Sequence, residues 1–593
     1  MKGSSLAYGL ALLQSSVFTT ATPTIVDRAT NATHKSTVTP VVVDRTLNVT
    51  YKGLSRNSIE IFLNIPYGQD TSGEHRFKPP RPYVPTRGST IDASSCGPAC
   101  PQQLGEALAA PITLSDVIEV SEDCLNLNVA RPSGTVPGDK LPVLLFIHGG
   151  SFWSGQNCEI TTTPDGMILE SVLNGLPIIH VGINYRLGFF GFARNEALKS
   201  EGSENAALRD QRLAIEWVRD NIAHFGGDPE KITISGQSSG GLSVGMQMMA
   251  YGGSKPIPFQ QGICQSQALE PGIMGNFTIN AMQLVIDYVG CNETSFDSEE
   301  TVACLRALDT DTALNASLAT YSEDYGNNIG DIWLPVVDGD FLPAAPSELI
   351  RQGRFANITT MFGWCDDDLT VFADNYVETA NDTYNFVQTY IPTMSSDNVA
   401  KLLSLYPSDE FTANVTANLS SEFYRAARIF RDILMTCPPI WYSEHMAAKG
   451  AQVYLYDWNQ TMLEPILASI GWPGLGPTHT SEFAYIFGNL SHYDTNDYPF
   501  NPLDSDWALQ DRGSRSWSTF AHTGVPHMKN HYTFQGFKPA YEGNQTSIYV
   551  IGGPHEGFST IDGPGASPAL AAQSIRERCM FLNSPELISE LRY

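Results

Sequence analysis

For its length this chain is short of cysteine and of positive charge. Ten Cys in 593 residues are too few for a disulfide-built scaffold, so a hydrophobic core must hold the fold. Lys and Arg total 35 against 63 Asp and Glu, a net charge of -28. A field of that sign repels phosphate backbones and anionic bilayers, which argues against nucleic acid and anionic membrane surfaces as partners. Beyond the first segment there is no run of 18 apolar residues, so no membrane span is expected. The C-terminal NSPELISELRY has no hydrophobic tail of the kind a lipid-anchor signal needs. Neither HExxH nor a ligand-spaced His/Cys cluster occurs, so no metal and no cofactor is expected. Internal repeats, low-complexity linkers and long charge runs are missing too.

What remains is the composition of a large buried core, 42% hydrophobic with 28 Phe, 24 Tyr and 9 Trp. The chain opens with Lys2, an apolar stretch from Leu6 to Phe18, and small residues Thr19 and Ala21 at the -3 and -1 positions of a cleavage site. Residues 1–21 therefore read as a secretory signal peptide, and the expected location is extracellular. A Thr- and Val-rich lead-in follows to about residue 45. Residues 22–593 are expected to form a single domain with many short turns, since Gly and Pro are spread throughout. Twelve N-x-S/T sequons fit a glycosylated surface: Asn31, Asn48, Asn276, Asn292, Asn315, Asn357, Asn381, Asn414, Asn418, Asn459, Asn489 and Asn544.

Three short apolar runs read as buried parallel strands: LPVLLFIHGG ending at Gly150, LPIIHVGINYR from Leu176, and KITISGQSSGG from Lys231. Between the last two, Ala207, Leu208, Leu213, Ala214, Trp217, Val218 and Ile222 recur at helical spacing and stop at Gly226 and Gly227. Strand, helix, strand is a crossover unit. Repeated, it makes an α/β fold with a mostly parallel central sheet and helices on both faces.

Gly236-Gln237-Ser238-Ser239-Gly240 falls between such a strand and a helical pattern. A G-x-S-x-G turn in that context is a nucleophile elbow, with Ser238 as the attacking group. The serine must sit in a strained, exposed turn, and glycines two residues either side leave room for backbones a Cβ would block. The second half of the signature is a His-Gly-Gly turn after an early strand, here Ile147 to Gly155. Backbone N–H groups of Gly150, Ser151 and Ser239 are the expected oxyanion donors. His148 reads as structural, because a base must offer Ser238 a free imidazole nitrogen.

Together these residues resemble the type-B carboxylesterase family. Phe225-Gly226-Gly227, then four residues, then Ile232 through Gly240, is similar to the family's serine signature, and Glu122 through Val129 to its second signature. Asn64 through Gly68, Arg76-Phe77 before Pro79-Pro80, and Asn184 through Leu187 before Gly191-Phe192 also match. The resemblance implies an α/β-hydrolase fold and ester hydrolysis through an acyl-serine intermediate. It implies His479 as general base, within Gly476-Pro477-Thr478-His479-Thr480-Ser481-Glu482, with His555 the runner-up. It places Asp368 at the acid position, with Asp for the family's Glu and Leu369 for the following Gly; Asp367 is the alternative. Ser151 stands where the family usually has a third Gly. The family's bridges imply Cys100 with Cys124, Cys291 with Cys304, and Cys437 with Cys579. Cys264 and Cys365 read as buried thiols, and Cys96 and Cys158 stay undecided. The Cys100–Cys124 loop is apolar enough to flap over the site. A small-molecule or lipid ester is the expected substrate and the chain a monomer or homodimer without a stable membrane anchor. A lipase acting at an interface is the alternative, with a non-catalytic adhesion module a more distant one.

Overall fold

A computed structural model describes residues 39–593 apart from 106–111, 325–330, 496 and 544. The signal segment, the start of the lead-in, Asn31, Asn544 and part of the Cys100–Cys124 loop lie outside the described residues.

In chain order the strands are β1 Val41–Asp44, β2 Val49–Lys52, β3 Leu54–Arg56, β4 Ile59–Pro66, β5 Thr90–Asp92, β6 Asn126–Pro132, β7 Leu141–Ile147, β8 Ile179–Ile183, β9 Gly227–Gln237, β10 Gln261–Gln265, β11 Thr359–Cys365, β12 Val453–Trp458, β13 Ser547–Ile551 and β14 Gly557–Thr560. β1, β2 and β5 form a small sheet. The other eleven form one sheet in the order β14-β13-β12-β11-β10-β9-β7-β8-β6-β4-β3. Strands β8 through β13 pair in parallel. The edges at β14 and at β6, β4 and β3 are antiparallel.

The three strands read from apolar runs are β7, β8 and β9; β9 starts four residues early, at Gly227. Their runs are continuous because both sheet faces are covered. On β7, Val143, Leu145 and Ile147 join one buried cluster with Val181, Ile183, Ile232 and Ile234. Leu144 and Phe146 join another with Ile263, Met361, Tyr454 and Tyr456. The expected crossover helix spans Ala206–Asn221 and runs into a tight turn ending at Gly226, whose φ is 90°.

Register decides where the chemistry can be. Ile147 of β7 lies opposite Gly236 of β9 and Ile183 of β8. Gln265 of β10 lies opposite Gln237 of β9 and Gly363 of β11. The carboxyl ends of β7, β9, β10 and β11 therefore finish close to one level, and the loops after them share one edge. In open parallel sheets that edge is where ligands bind.

Four disulfides are present: Cys96–Cys158, Cys100–Cys124, Cys291–Cys304 and Cys437–Cys579. The first settles the undecided pair. Cys264 and Cys365 are buried thiols. Most described sequons are at the surface, but Asn489 is a correction. Its side chain is fully buried, and its amide donates to the carbonyls of Ile160, Thr161 and Thr163. The fold has no room for a glycan on that nitrogen.

Candidate active site

Ser238 sits between the end of β9 and the helix Ser239–Met249, with φ 58° and ψ -132°. That backbone is costly for a residue with a Cβ, by roughly 1–3 kcal/mol. The surroundings hold it there. The Ser238 N–H donates to the Gln265 carbonyl at 2.9 Å, and the Ser238 carbonyl accepts the Leu242 N–H at 2.9 Å. A Cβ on Gly236 would collide with the Gly240 carbonyl, and one on Gly240 with the Ile147 carbonyl. The two glycines are thus required by close packing of strand, turn and helix.

The loop after β7 packs onto this elbow. A Cβ on Gly149 would reach 3.0 Å from the Ser238 Cβ. The Phe152 N–H donates to Ser239 Oγ at 3.2 Å, tying loop to helix. Ser151 and Phe152 both have positive φ, 51° and 59°. The N–H groups of Gly150, Ser151 and Ser239 donate to no acceptor among the described residues. Three unspent donors beside a serine are the raw material of an oxyanion site. Sequence reasoning missed the carboxyls nearby: burial raises the Asp331 carboxyl, and the side chains of Glu270 and Ser151 act on it in the opposite direction. No motif marks that pair.

After β11 the chain runs through Asp366, Asp367 and Asp368, and each carboxylate goes a different way. Asp366 accepts from Arg431 at 3.3 Å and from Gln573 at 2.7 Å. Asp367 faces Arg428 at 3.4 Å. Burial, then the neighbouring Asp366 charge, push the Asp367 carboxyl up to about 6. Asp368 is fully buried. One oxygen meets His479 Nδ1 at 2.5 Å, and the other accepts the Cys365 N–H at 2.8 Å. The His479 loop is tied to the acid loop by Thr478, whose hydroxyl meets Thr370 Oγ1 at 2.9 Å.

His479 is almost buried, with Phe372 edge-on at 5.3 Å. A carboxylate only accepts, so Nδ1 carries the proton and Nε2 is left as acceptor. The Gln237 amide nitrogen lies 3.0 Å from that Nε2. No hydrogen bond joins Ser238 Oγ to His479 among the described residues; the two meet through Gln237, the residue before Ser238. Nothing in a G-x-S-x-G pattern flags Gln237 for this contact. Behind Asp368, buried Glu482 accepts the Cys365 thiol at 3.2 Å and the Gln265 amide at 3.3 Å. Burial first, then the Asp368 charge, raise its carboxyl. His555, in contrast, is exposed in the loop after β13. Among the described residues no group of three or more His, Cys, Asp or Glu could hold a metal ion.

The model of the carboxylesterase family matches residues 46–556. This chain belongs to the carboxylesterase family. It is a secreted carboxylic-ester hydrolase, and among the described residues no helix is long and apolar enough to cross a membrane. A secreted lipase of Arthroderma benhamiae is 53% identical over 542 residues, covering 91% of this chain and 94% of that protein. An inactive carboxylesterase-like protein of Byssochlamys spectabilis is 35% identical over 488 residues, 80% of this chain and 82% of that protein. The crystal structure of Aspergillus niger EstA matches with a TM-score of 0.74 at 24% identity, over 94% of this chain and 99% of that one. The carboxylesterase has the α/β-hydrolase fold, and its loop-bearing sheet edge is the one described above.

Proposed function

We propose that this carboxylesterase works through Ser238, His479 and Asp368, with the amides of Gly150, Ser151 and Ser239 receiving the oxyanion. The observation that carries the reading is the 2.5 Å contact of His479 Nδ1 with buried Asp368, next to a serine held at φ 58°. Ser238 Oγ attacks the ester carbonyl carbon as His479 Nε2 takes its proton. Asp368 keeps the ring in the tautomer with Nδ1 protonated and stabilises the imidazolium. The carbonyl oxygen, now negative, accepts hydrogen bonds from these amides. His479 returns the proton to the leaving alkoxide, the alcohol departs, and water repeats both steps on the acyl-serine to release the acid. Substrate displaces the Gln237 amide from His479, and a Ser238–His479 hydrogen bond forms in the complex.

A lipase reading is favoured by one feature. Leu104 and Ile118, in the Cys100–Cys124 loop, are 56% and 89% exposed. Large apolar side chains there suit a lipid surface. The relative named a secreted lipase is consistent with it. Two measurements test both readings. A fluorophosphonate should label the wild-type enzyme at Ser238, and an unlabelled active protein would remove that serine from the reaction. Rates on nitrophenyl esters from acetate to palmitate should jump above the solubility limit of the long esters for a lipase. Plain saturation would leave an esterase for dissolved substrates.

A further inference from the structure

Behind the oxyanion loop, on the side of β7 and β8, lies a cavity of about 140 Å³. His148 and His180 line it with Asn128, Asn157, Phe146 and Gly182. Both imidazoles are more than nine-tenths buried. Among the described residues, neither Nε2 meets a protein partner. Burial holds both rings neutral, lowering His148 to about 4 and His180 to about 3.

The His148 tautomer follows from its surroundings. Its Nδ1 lies 2.9 Å from the Gly149 carbonyl, which can only accept, so Nδ1 carries the hydrogen and Nε2 is a bare acceptor. The rest of the residue is clamped. Its ring stacks on Tyr185 at 4.4 Å, and the Tyr185 hydroxyl donates to the His148 carbonyl at 2.8 Å. The next two residues, Gly149 and Gly150, lead into the donor loop. A buried imidazole acceptor without a partner is destabilising, and a neutral His148 cannot escape that cost by protonating. Water relieves that cost well: it has two O–H donors and can also accept, so it serves His180 in either tautomer. The cavity has room for several waters at roughly 30 Å³ each, and it is polar enough to keep them.

We propose that this cavity is a built water site, in which ordered water bridges His148 Nε2 to His180 Nε2 and fixes the oxyanion loop from behind. His180 is then a positioning residue that acts on catalysis through water, His148 and the loop. The effect on rate rests on the oxyanion assignment above; the water site itself does not.

The test has two arms on the full-length secreted enzyme. A crystal structure at high resolution should show water within hydrogen-bond distance of both Nε2 atoms, and a dry cavity would overturn the proposal. His180→Phe keeps a flat ring but removes the partner. It should lower kcat about tenfold, leave KM within twofold, and leave fluorophosphonate labelling complete at long times. His180→Gln, which restores a polar end, should recover most of kcat. Equal kcat in wild type and His180→Phe would sink the positioning role, as would His180→Gln behaving like His180→Phe. If His180→Phe fails to fold, the crystallographic arm and His180→Gln still decide. Failure of the Ser238 assignment would show instead as absent labelling in the wild type.

Discussion

His479 Nδ1 and Asp368 Oδ1 are 2.5 Å apart, while the adjacent Asp367 turns its carboxylate to Arg428. One residue of chain separates the partner of the imidazole from a carboxylate that never reaches it. The backbone N–H of Cys365, held by β11, takes the second oxygen of Asp368, so the carboxylate cannot rotate away without losing a buried hydrogen bond.

Asp368→Asn and Asp367→Asn should therefore differ sharply. The first should lower kcat by about four orders of magnitude, because an amide facing Nδ1 favours the wrong tautomer. The second should leave kcat within about threefold. Steady-state kinetics on one nitrophenyl ester settles the pair, and the reverse order would move the acid to Asp367.

Asp367 has its own signature in stability. Its folded value of about 6 exceeds the usual 3.8, so between pH 4 and 6 the folded state binds more protons than the unfolded one. Stability from this group is present at low pH and lost as pH rises through 6. Relative to wild type, Asp367→Asn should gain on the order of 1 kcal/mol between pH 4 and pH 7. Thermal melts of both proteins across that range check the sign; a relative loss would contradict it.

Ser238→Ala should abolish turnover, by about six orders of magnitude in kcat, while melting within a degree or two of wild type. Residual activity above a thousandth of wild type would place the nucleophile elsewhere.

Gly240→Ala should be far worse for the fold than its size suggests. The new methyl would press on the Ile147 carbonyl, where neither backbone can yield. The expected outcome is a loss of about 3 kcal/mol or more, seen as poor secretion and a lowered melting point. Gly513→Ala is the control. Its methyl would sit at ordinary contact, 3.5 Å from the Tyr485 backbone, in a helix that gains about 1 kcal/mol from alanine.

The elbow is readable in the sequence because it is local. A β-branched strand, two glycines around a serine and a helix within twelve residues specify one another, and the structure places φ 58° at Ser238. The strands are legible for a related reason: a run such as LPVLLFI is apolar on both parities, which only a sheet covered on both faces uses. Contacts across long separations are not readable this way. Three consecutive Asp residues look alike in sequence; only the loop after β11 decides that they reach Gln573, Arg428 and His479 in turn. Gln237 against His479 and Glu482 against Cys365 depend on strands brought side by side. Cys96 and Cys158, 62 residues apart, carry no spacing signal for their bridge.

Asn489 binds three carbonyls with the very nitrogen that a sugar-transferring enzyme would modify. On the secretory route, such modification reaches the growing polypeptide before its later parts have packed. The tripeptide at 489–491 is therefore in a race: once its amide closes on the segment around Thr161 it is beyond reach, and a molecule that loses the race carries an oligosaccharide where the interior should be. Replacing Ser491, whose hydroxyl completes the acceptor tripeptide, should take that competition away without touching the interior amide, and the secreted yield of wild type and variant checks it.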